Sequence, residues 1–306
     1  MTLQLDSTRI AVRERSLLDT FDLSLHVSRH YIGRLLLTFF AVALCLMVVN
    51  HLLLGWIIDT GNQGSFFYAD DLGMISRFVW DMSILVAIEA PLGSVFATAY
   101  LGQAMFVDRP QLGQIALDVL KLAPRIAWCQ LLVRGVLPVW LLLLALDRFS
   151  DFDPTIEALG LGALACYVLG LRFWRPFINE IVLLERTPLI ARGKEALTVR
   201  RRSRQLHAPS SGNLFLRGLA ASILAVCLTL ACFGTFVFIS GIFLNDWRPG
   251  PFMIGIVLPL SMWIVTGYLS VVRFLNYLDL RIRHEGWEVE LRLRAEGERL
   301  ASRLVK

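Results

Sequence analysis

Two apolar runs decide the class of this protein: LLLTFFAVALCLMVVNHLLLGWII at residues 35–58 and GLAASILAVCLTLACFGTFVFISGIFLN at residues 218–245. They contain 24 and 28 residues without an Asp, Glu, Lys or Arg, and a third charge-free run covers residues 249–272. An α-helix needs about 20 apolar residues to cross a hydrocarbon core about 30 Å thick. The sequence therefore predicts an all-α, polytopic membrane protein.

The composition of the whole chain agrees with that class. Of its 306 residues, 56% are apolar and 18% are charged, whereas soluble domains average about 45–50% and about 25%. This balance argues against a soluble enzyme. The five cysteines form no C-x-x-C pair, and no phosphate-binding loop, dinucleotide fingerprint or nucleophile elbow occurs. We therefore predict no metal, no cofactor and no catalytic residue.

Three further segments are apolar but carry charges. Residues 78–106 contain Glu89, residues 126–146 contain Arg134, and residues 157–178 end in two arginines whose stems are long enough to snorkel to the interface. With these segments the prediction is about six transmembrane helices. The predicted organisation is a cytoplasmic segment 1–34, a transmembrane domain 35–278 with spans 35–58, 78–106, 126–146, 157–178, 218–245 and 249–272, and a charged cytoplasmic helix 279–306.

Basic residues set the predicted orientation. Of the 30 Lys and Arg residues, 26 fall in 1–34, 107–125, 172–217 and 273–306, and only three fall in the loops between the other span ends. Lys and Arg in short loops stay on the cytoplasmic side of a membrane. Both termini are therefore predicted to be cytoplasmic.

Amphipathic stretches precede the first, third and fifth spans, at about residues 17–34, 111–125 and 190–207. Apolar residues spaced at the helical period on one face are typical of helices that lie in the headgroup plane. A unit of one surface helix and a two-helix hairpin, used three times, would explain this order. The alternative is that apolar segments resemble one another by composition alone.

The charges inside the spans are the strongest functional signal. Ionisable groups in hydrocarbon are costly and usually face a partner or a water-filled cavity. Glu89 and Arg134 lie at similar depths on consecutive spans, so the sequence predicts that they can form a pair. Either the pair is a fixed ion pair that sets helix register, which is the favoured interpretation, or the two side chains line a path for a solute.

A cluster of arginines lies on the predicted cytoplasmic side, at Arg200, Arg201, Arg202 and Arg204. The cluster lacks the interleaved aromatic residues of a nucleic-acid patch and is close to a span. Anionic lipid at such a surface attracts each basic residue by about 1 kcal/mol. We expect these arginines to contact lipid headgroups, and we expect no nucleic-acid partner.

Two segments, RPFINEIVLLERTPL at 175–189 and YLDLRIRHEG at 277–286, carry a family resemblance. Together they resemble a bacterial family of six-helix membrane domains that occur alone or fused to glycerophosphodiester phosphodiesterases. The resemblance is concentrated in residues 175–217 and 270–290. It implies an integral membrane module, and it transfers no catalytic residue to this chain.

These observations favour a non-enzymatic membrane scaffold or accessory module that engages lipid headgroups or a protein partner on the cytoplasmic side. The alternative is a transporter or flippase for a lipid-like or small hydrophobic solute, with Glu89 and Arg134 along its path. A membrane-embedded enzyme is the third interpretation and has the least support.

Overall fold

A computed structural model gives the fold and describes residues 16–61, 69–105, 107, 110–148, 154–189, 198–245, 247 and 249–285. These residues contain no strand, so the all-α class is confirmed for the described part of the chain. They form the helices α1 (Leu17–His30), α2 (Ile32–Gly61), α3 (Ala69–Gly93), α4 (Val95–Ala104), α5 (Leu112–Ala127), α6 (Val136–Arg148), α7 (Pro154–Trp174), α8 (Ile178–Leu183), α9 (Val199–His207), α10 (Ser211–Leu244) and α11 (Leu258–Glu285).

Several of these helices have the length and the apolar composition that membrane spans require. Within the described ranges, four helical segments are long enough: Ile32–Ile58, Gly73–Ala104, Val199–Leu244 and Met253–Arg283. A fifth candidate is a bent pair, Leu112–Val133 and Val136–Ala145, whose two parts meet at 54°. Ala158–Trp174 is a shorter apolar helix. The chain is thus compatible with a membrane protein, while the count of six spans and the threefold repeat stay predictions.

Short helices stand where the sequence predicts surface helices. α1 precedes α2, α5 precedes the bent segment, and α9 precedes α10. The predicted start of the third surface helix, at residues 190–197, lies outside the described residues, as do residues 1–15 and 286–306. α11 continues to Glu285, past the predicted end of the membrane domain at residue 278.

Local sequence explains where several helices begin and end. Ser16 caps α1 by accepting a hydrogen bond from the backbone N–H of Asp19, and the Asp19 carboxylate accepts the backbone N–H of Ser16 in return. This reciprocal arrangement is a capping box, which satisfies two backbone donors at once. The C-terminal cap of α10 is Asn245, whose φ is +53°. Asparagine tolerates this left-handed conformation better than most residues.

The helices are interrupted inside the bundle. α3 contains Pro91 and gives way to α4 at Ser94. The third apolar segment passes through a π-helical turn, Trp128–Val133, and then through Gly135, whose φ of +76° strongly favours glycine. A second π-helical turn, Met253–Val257, leads into α11.

α3 lies at the centre of the bundle, where it packs against α2, α7 and α11. α10 lies at the periphery and packs mainly against α11 and α7. The core is rich in aromatic side chains; the largest fully buried ones are Trp263, Tyr100, Tyr277, Phe39, Phe78 and Phe274.

Candidate functional site

Glu89 forms a buried hydrogen-bonded group with Asn50 and Trp140. Its side chain is fully buried, and each carboxylate oxygen accepts one hydrogen bond. Asn50 donates to Oε2 at 2.9 Å, and the indole N–H of Trp140 donates to Oε1 at 2.5 Å. The three side chains come from α2, α3 and α6. They therefore join the first three apolar segments through one carboxylate.

Arg134, the predicted partner of Glu89, points elsewhere. It follows the π-helical turn, is 3% exposed and donates a hydrogen bond to the backbone carbonyl of Arg175. No ion pair joins it to Glu89 in the described part of the chain. The reason is the bend at Gly135: the chain changes direction just after Arg134, and Trp140, one and a half turns later, reaches Glu89 instead. Sequence depth alone could not reveal this bend.

The four arginines of the predicted headgroup cluster divide into two groups. Arg200, Arg201 and Arg204 are exposed on α9. Arg202 faces the protein and forms a two-pronged ion pair with Glu185, at 2.6 and 3.0 Å. Three of the four side chains therefore lie at the protein surface, while the fourth fixes α9 to the bundle.

The break in α3 gathers a second polar cluster. Because Pro91 has no N–H, the carbonyl of Ala87 lacks its helical donor, and Arg172 of α7 donates to that carbonyl instead. The carbonyl of Pro91 accepts hydrogen bonds from Ser94 at 3.0 Å and from Asn179 at 2.7 Å. Side chains of α7 and α8 thus satisfy the backbone that the proline leaves open.

Arg273 of α11 completes this cluster. Its guanidinium binds the carboxylate of Glu180 at 2.7 Å and the hydroxyl of Ser94 at 2.8 Å. Glu180 is fully buried, and its second oxygen, Oε2, has no hydrogen-bond partner among the described residues. We call Arg134, Arg172 and Arg273, which interact electrostatically with one another and with Glu180, the arginine cluster.

An apolar cavity of about 520 Å³ adjoins the arginine cluster. We call it the α10 groove; its walls are formed by α3, α7, α10 and α11, with small residues such as Gly218, Ala221 and Ala225 on the α10 side. Along α10 it extends from Leu214 to Leu230, which at the helical rise is about 24 Å. On its rim, Leu230 is 63% exposed, so the groove opens to the surface of the bundle.

The polar end of the groove is basic. Of the described residues, Arg172, Arg217 and Arg273 line it, together with Ser94 and Asn276, and no acidic residue does. Arg172 lies near the end of α7, Arg217 near the start of α10 and Arg273 on α11, and all three side chains line the same cavity. The remainder of its described lining is mostly apolar and otherwise carries only Ser and Thr hydroxyls.

The sequence favours a different interpretation of these three arginines. Arg172, Arg217 and Arg273 each lie at the edge of an apolar segment, where an arginine is expected to snorkel toward water. From the sequence alone, their charges therefore indicate topology and not a binding site. Only the packing of α7, α10 and α11 shows that the three side chains meet at one cavity.

Comparisons with protein-family models, with curated proteins and with solved structures find no match for this chain. The resemblance to the membrane domain associated with glycerophosphodiester phosphodiesterases therefore stays a prediction. No group of three or more metal-ligating side chains occurs in the part of the chain that the structure describes.

Proposed function

We propose that this chain is a non-enzymatic integral membrane module that binds an anionic amphiphile in the α10 groove. The observation that carries the proposal is the shape and charge of that groove. The apolar part of its α10 wall, from Gly218 to Leu230, is about 18 Å long, which is more than half of a hydrocarbon core about 30 Å thick. The groove ends in three arginines, with no acidic residue among its described lining. An acyl chain fits the apolar walls, and an acidic headgroup fits the arginines.

The packing of α10 supports the same conclusion. Gly218, Ala221 and Ala225 of α10 face the groove and are only partly buried. A helix that leaves such a gap beside its neighbours loses van der Waals contacts on the open side, and those contacts drive helix association in a bilayer. A lipid chain in the groove would restore them.

Purification followed by lipid analysis tests this function. Wild-type protein extracted in mild detergent is expected to retain a stoichiometric anionic lipid. Ala225→Phe, which fills the groove, should reduce the retained lipid strongly. The matched control is Ala231→Phe on the same helix, where the alanine is exposed and outside the groove. Equal lipid retention by the two variants would contradict the proposal.

Transport of the same amphiphile is a second candidate function. It is favoured by the broken helix at Pro91–Ser94, because transporters often build their sites from interrupted helices. In this version the groove arginines replace Glu89 and Arg134, neither of which lines the groove. A fluorescent anionic lipid should then exchange between the two leaflets faster in proteoliposomes than in protein-free liposomes. Equal exchange rates would contradict transport and leave the binding function as the proposal.

The arrangement in the membrane is also a proposal. We infer six spans, with the bent segment and α7 each crossing once, in a bacterial cytoplasmic membrane with both termini cytoplasmic. The exposed Arg200, Arg201 and Arg204 would then contact anionic headgroups or a cytoplasmic protein. Cysteines placed at residues 62 and 151, which lie outside the described residues, should be labelled from the outer side of intact cells.

A further inference from the structure

The arginine cluster carries more positive charge than its own carboxylate balances. Of its three guanidinium groups, only that of Arg273 is ion-paired, with the carboxylate of Glu180 at 2.7 Å, while those of Arg134 and Arg172 donate to backbone carbonyls. No other acidic group of the described residues pairs with them. The cluster therefore has two positive charges in excess inside an apolar bundle.

The hydrogen bonds of the cluster leave room for a ligand. Of the five N–H donors that each guanidinium has, Arg172 uses one, on the Ala87 carbonyl, and Arg134 uses one, on the Arg175 carbonyl, within the described structure. A neutral carbonyl satisfies one N–H donor of a guanidinium but does not balance its positive charge. Arg134 is buried, and Arg172 and Arg273 are partly buried. Arginines withdrawn from water are normally paired with an anion, because an unpaired charge there is costly.

The third arginine of the groove does not share this excess. Arg217 binds Asp279 at 3.0 Å. Asp279 is 2% exposed and also pairs at 3.2 Å with Arg283, whose side chain is 31% exposed and so reaches solvent. Hydrogen bonds to Asn213 at 2.9 Å and Asn276 at 2.7 Å hold Arg217 further. The uncompensated charge at the groove therefore belongs to the arginine cluster, which reaches the groove through Arg172 and Arg273.

From this charge balance we infer the class of the ligand: an amphiphile whose acidic group carries two negative charges, as a phosphomonoester on an apolar tail does. The inference rests on the proposed function, since it concerns the same groove. A phosphomonoester near neutral pH carries about −1.5 to −2 charges and three acceptor oxygens, which suit guanidinium donors. A phosphodiester carries one charge and would leave one arginine unbalanced.

The test compares two lipids with identical acyl chains on the delipidated, detergent-solubilised full chain. One is a diacyl phosphatidate, a phosphomonoester, and the other is the corresponding phosphatidylglycerol, a phosphodiester. From the extra charge pair in a low-dielectric site, we expect the phosphatidate to bind at least about tenfold more tightly. Thermal unfolding at increasing lipid concentration measures both affinities.

Variants locate the preference in the cluster. Arg172→Gln keeps a donor for the Ala87 carbonyl but removes one charge, so the ratio of the two affinities should fall to about two or less. Arg172→Lys keeps the charge and should keep most of the preference. Arg175→Gln is the matched control because Arg175 is exposed and does not line the groove; its ratio should equal that of the wild type.

Each contrary outcome has a distinct meaning. Equal affinity of the wild type for both lipids would overturn the dianion inference and leave the proposed function standing. Binding of neither lipid would overturn both. Glycerol phosphate and inorganic phosphate serve as soluble arms, and binding of either as tightly as the phosphatidate would overturn the assignment of an amphiphile. If Arg172→Gln fails to fold, the wild-type ratio and Arg172→Lys still decide.

Discussion

α3 and α10 are both long apolar helices, yet they lie in opposite environments. Of the most apolar stretch of the α3–α4 span, 72% of the residues are buried in the bundle, whereas none is buried in the corresponding stretch of the α10 span. α3 carries Glu89 and Pro91, and α10 carries no acidic or basic residue after Arg217. In a membrane the uniformly apolar helix faces lipid, and the helix with polar residues lies inside, because only protein or water satisfies those groups.

The largest difference between the two helices should appear when the same side chain is truncated in each. Phe78 of α3 is fully buried and Phe243 of α10 is 81% exposed. Phe78→Ala should cost about 3–5 kcal/mol of unfolding free energy because it leaves a cavity. Phe243→Ala should change it by less than about 0.5 kcal/mol. Reversible unfolding in detergent measures both, and equal losses would contradict the peripheral position of α10.

The surface helix α9, which leads into α10, should respond to lipid charge in a way that the interior does not. Replacing Arg200, Arg201 and Arg204 by Gln should remove up to about 1 kcal/mol per charge of the stability that anionic nanodiscs add over neutral ones. High salt should reduce the effect. Arg202→Gln should instead destabilise the protein equally in both lipids, because it removes a partner of Glu185. A lipid-dependent loss in Arg202→Gln would contradict this division.

A smaller coupling free energy should distinguish Trp140 from Arg134 as the partner of Glu89. In a double-mutant cycle, Glu89→Leu and Trp140→Phe should be coupled by about 1 kcal/mol, since they share a hydrogen bond. Glu89→Leu and Arg134→Leu should be coupled by less than about 0.5 kcal/mol, the usual limit of additivity. Chemical unfolding of the three single variants, the two double variants and the wild type gives both values. The reverse order would restore the ion pair predicted from sequence.

The sequence predicted those features that depend on local composition. Charge-free runs of sufficient length mark α2, α10 and α11, and the burial of Glu89 follows from its place in an apolar segment. The partner of Glu89 was not predictable, because it depends on the π-helical turn and the bend at Gly135. A single glycine in an apolar run does not by itself predict a bend of 54°.

The candidate site was predictable only in its chemistry. Intramembrane charge was expected to mark it, but the residues that form it are Arg172 and Arg273, which the sequence places at segment ends. Their meeting depends on the packing of α7 and α11, which are far apart in the chain. The role of Arg202 also depends on a distant contact. Nothing in the neighbouring sequence distinguishes it from Arg201, and only its ion pair with Glu185 shows that it faces the protein.

The occupant of the α10 groove can be identified most directly by photo-crosslinking. A phosphatidate with a photoreactive group near the end of its acyl chain would be irradiated with the purified protein, and the labelled residues mapped by mass spectrometry. We expect labels on groove residues such as Ala225, Thr229 and Met262, with loss of those labels in Ala225→Phe. Labels confined to exposed residues such as Phe243, or spread evenly over the apolar surface, would contradict a lipid site between α10 and the bundle.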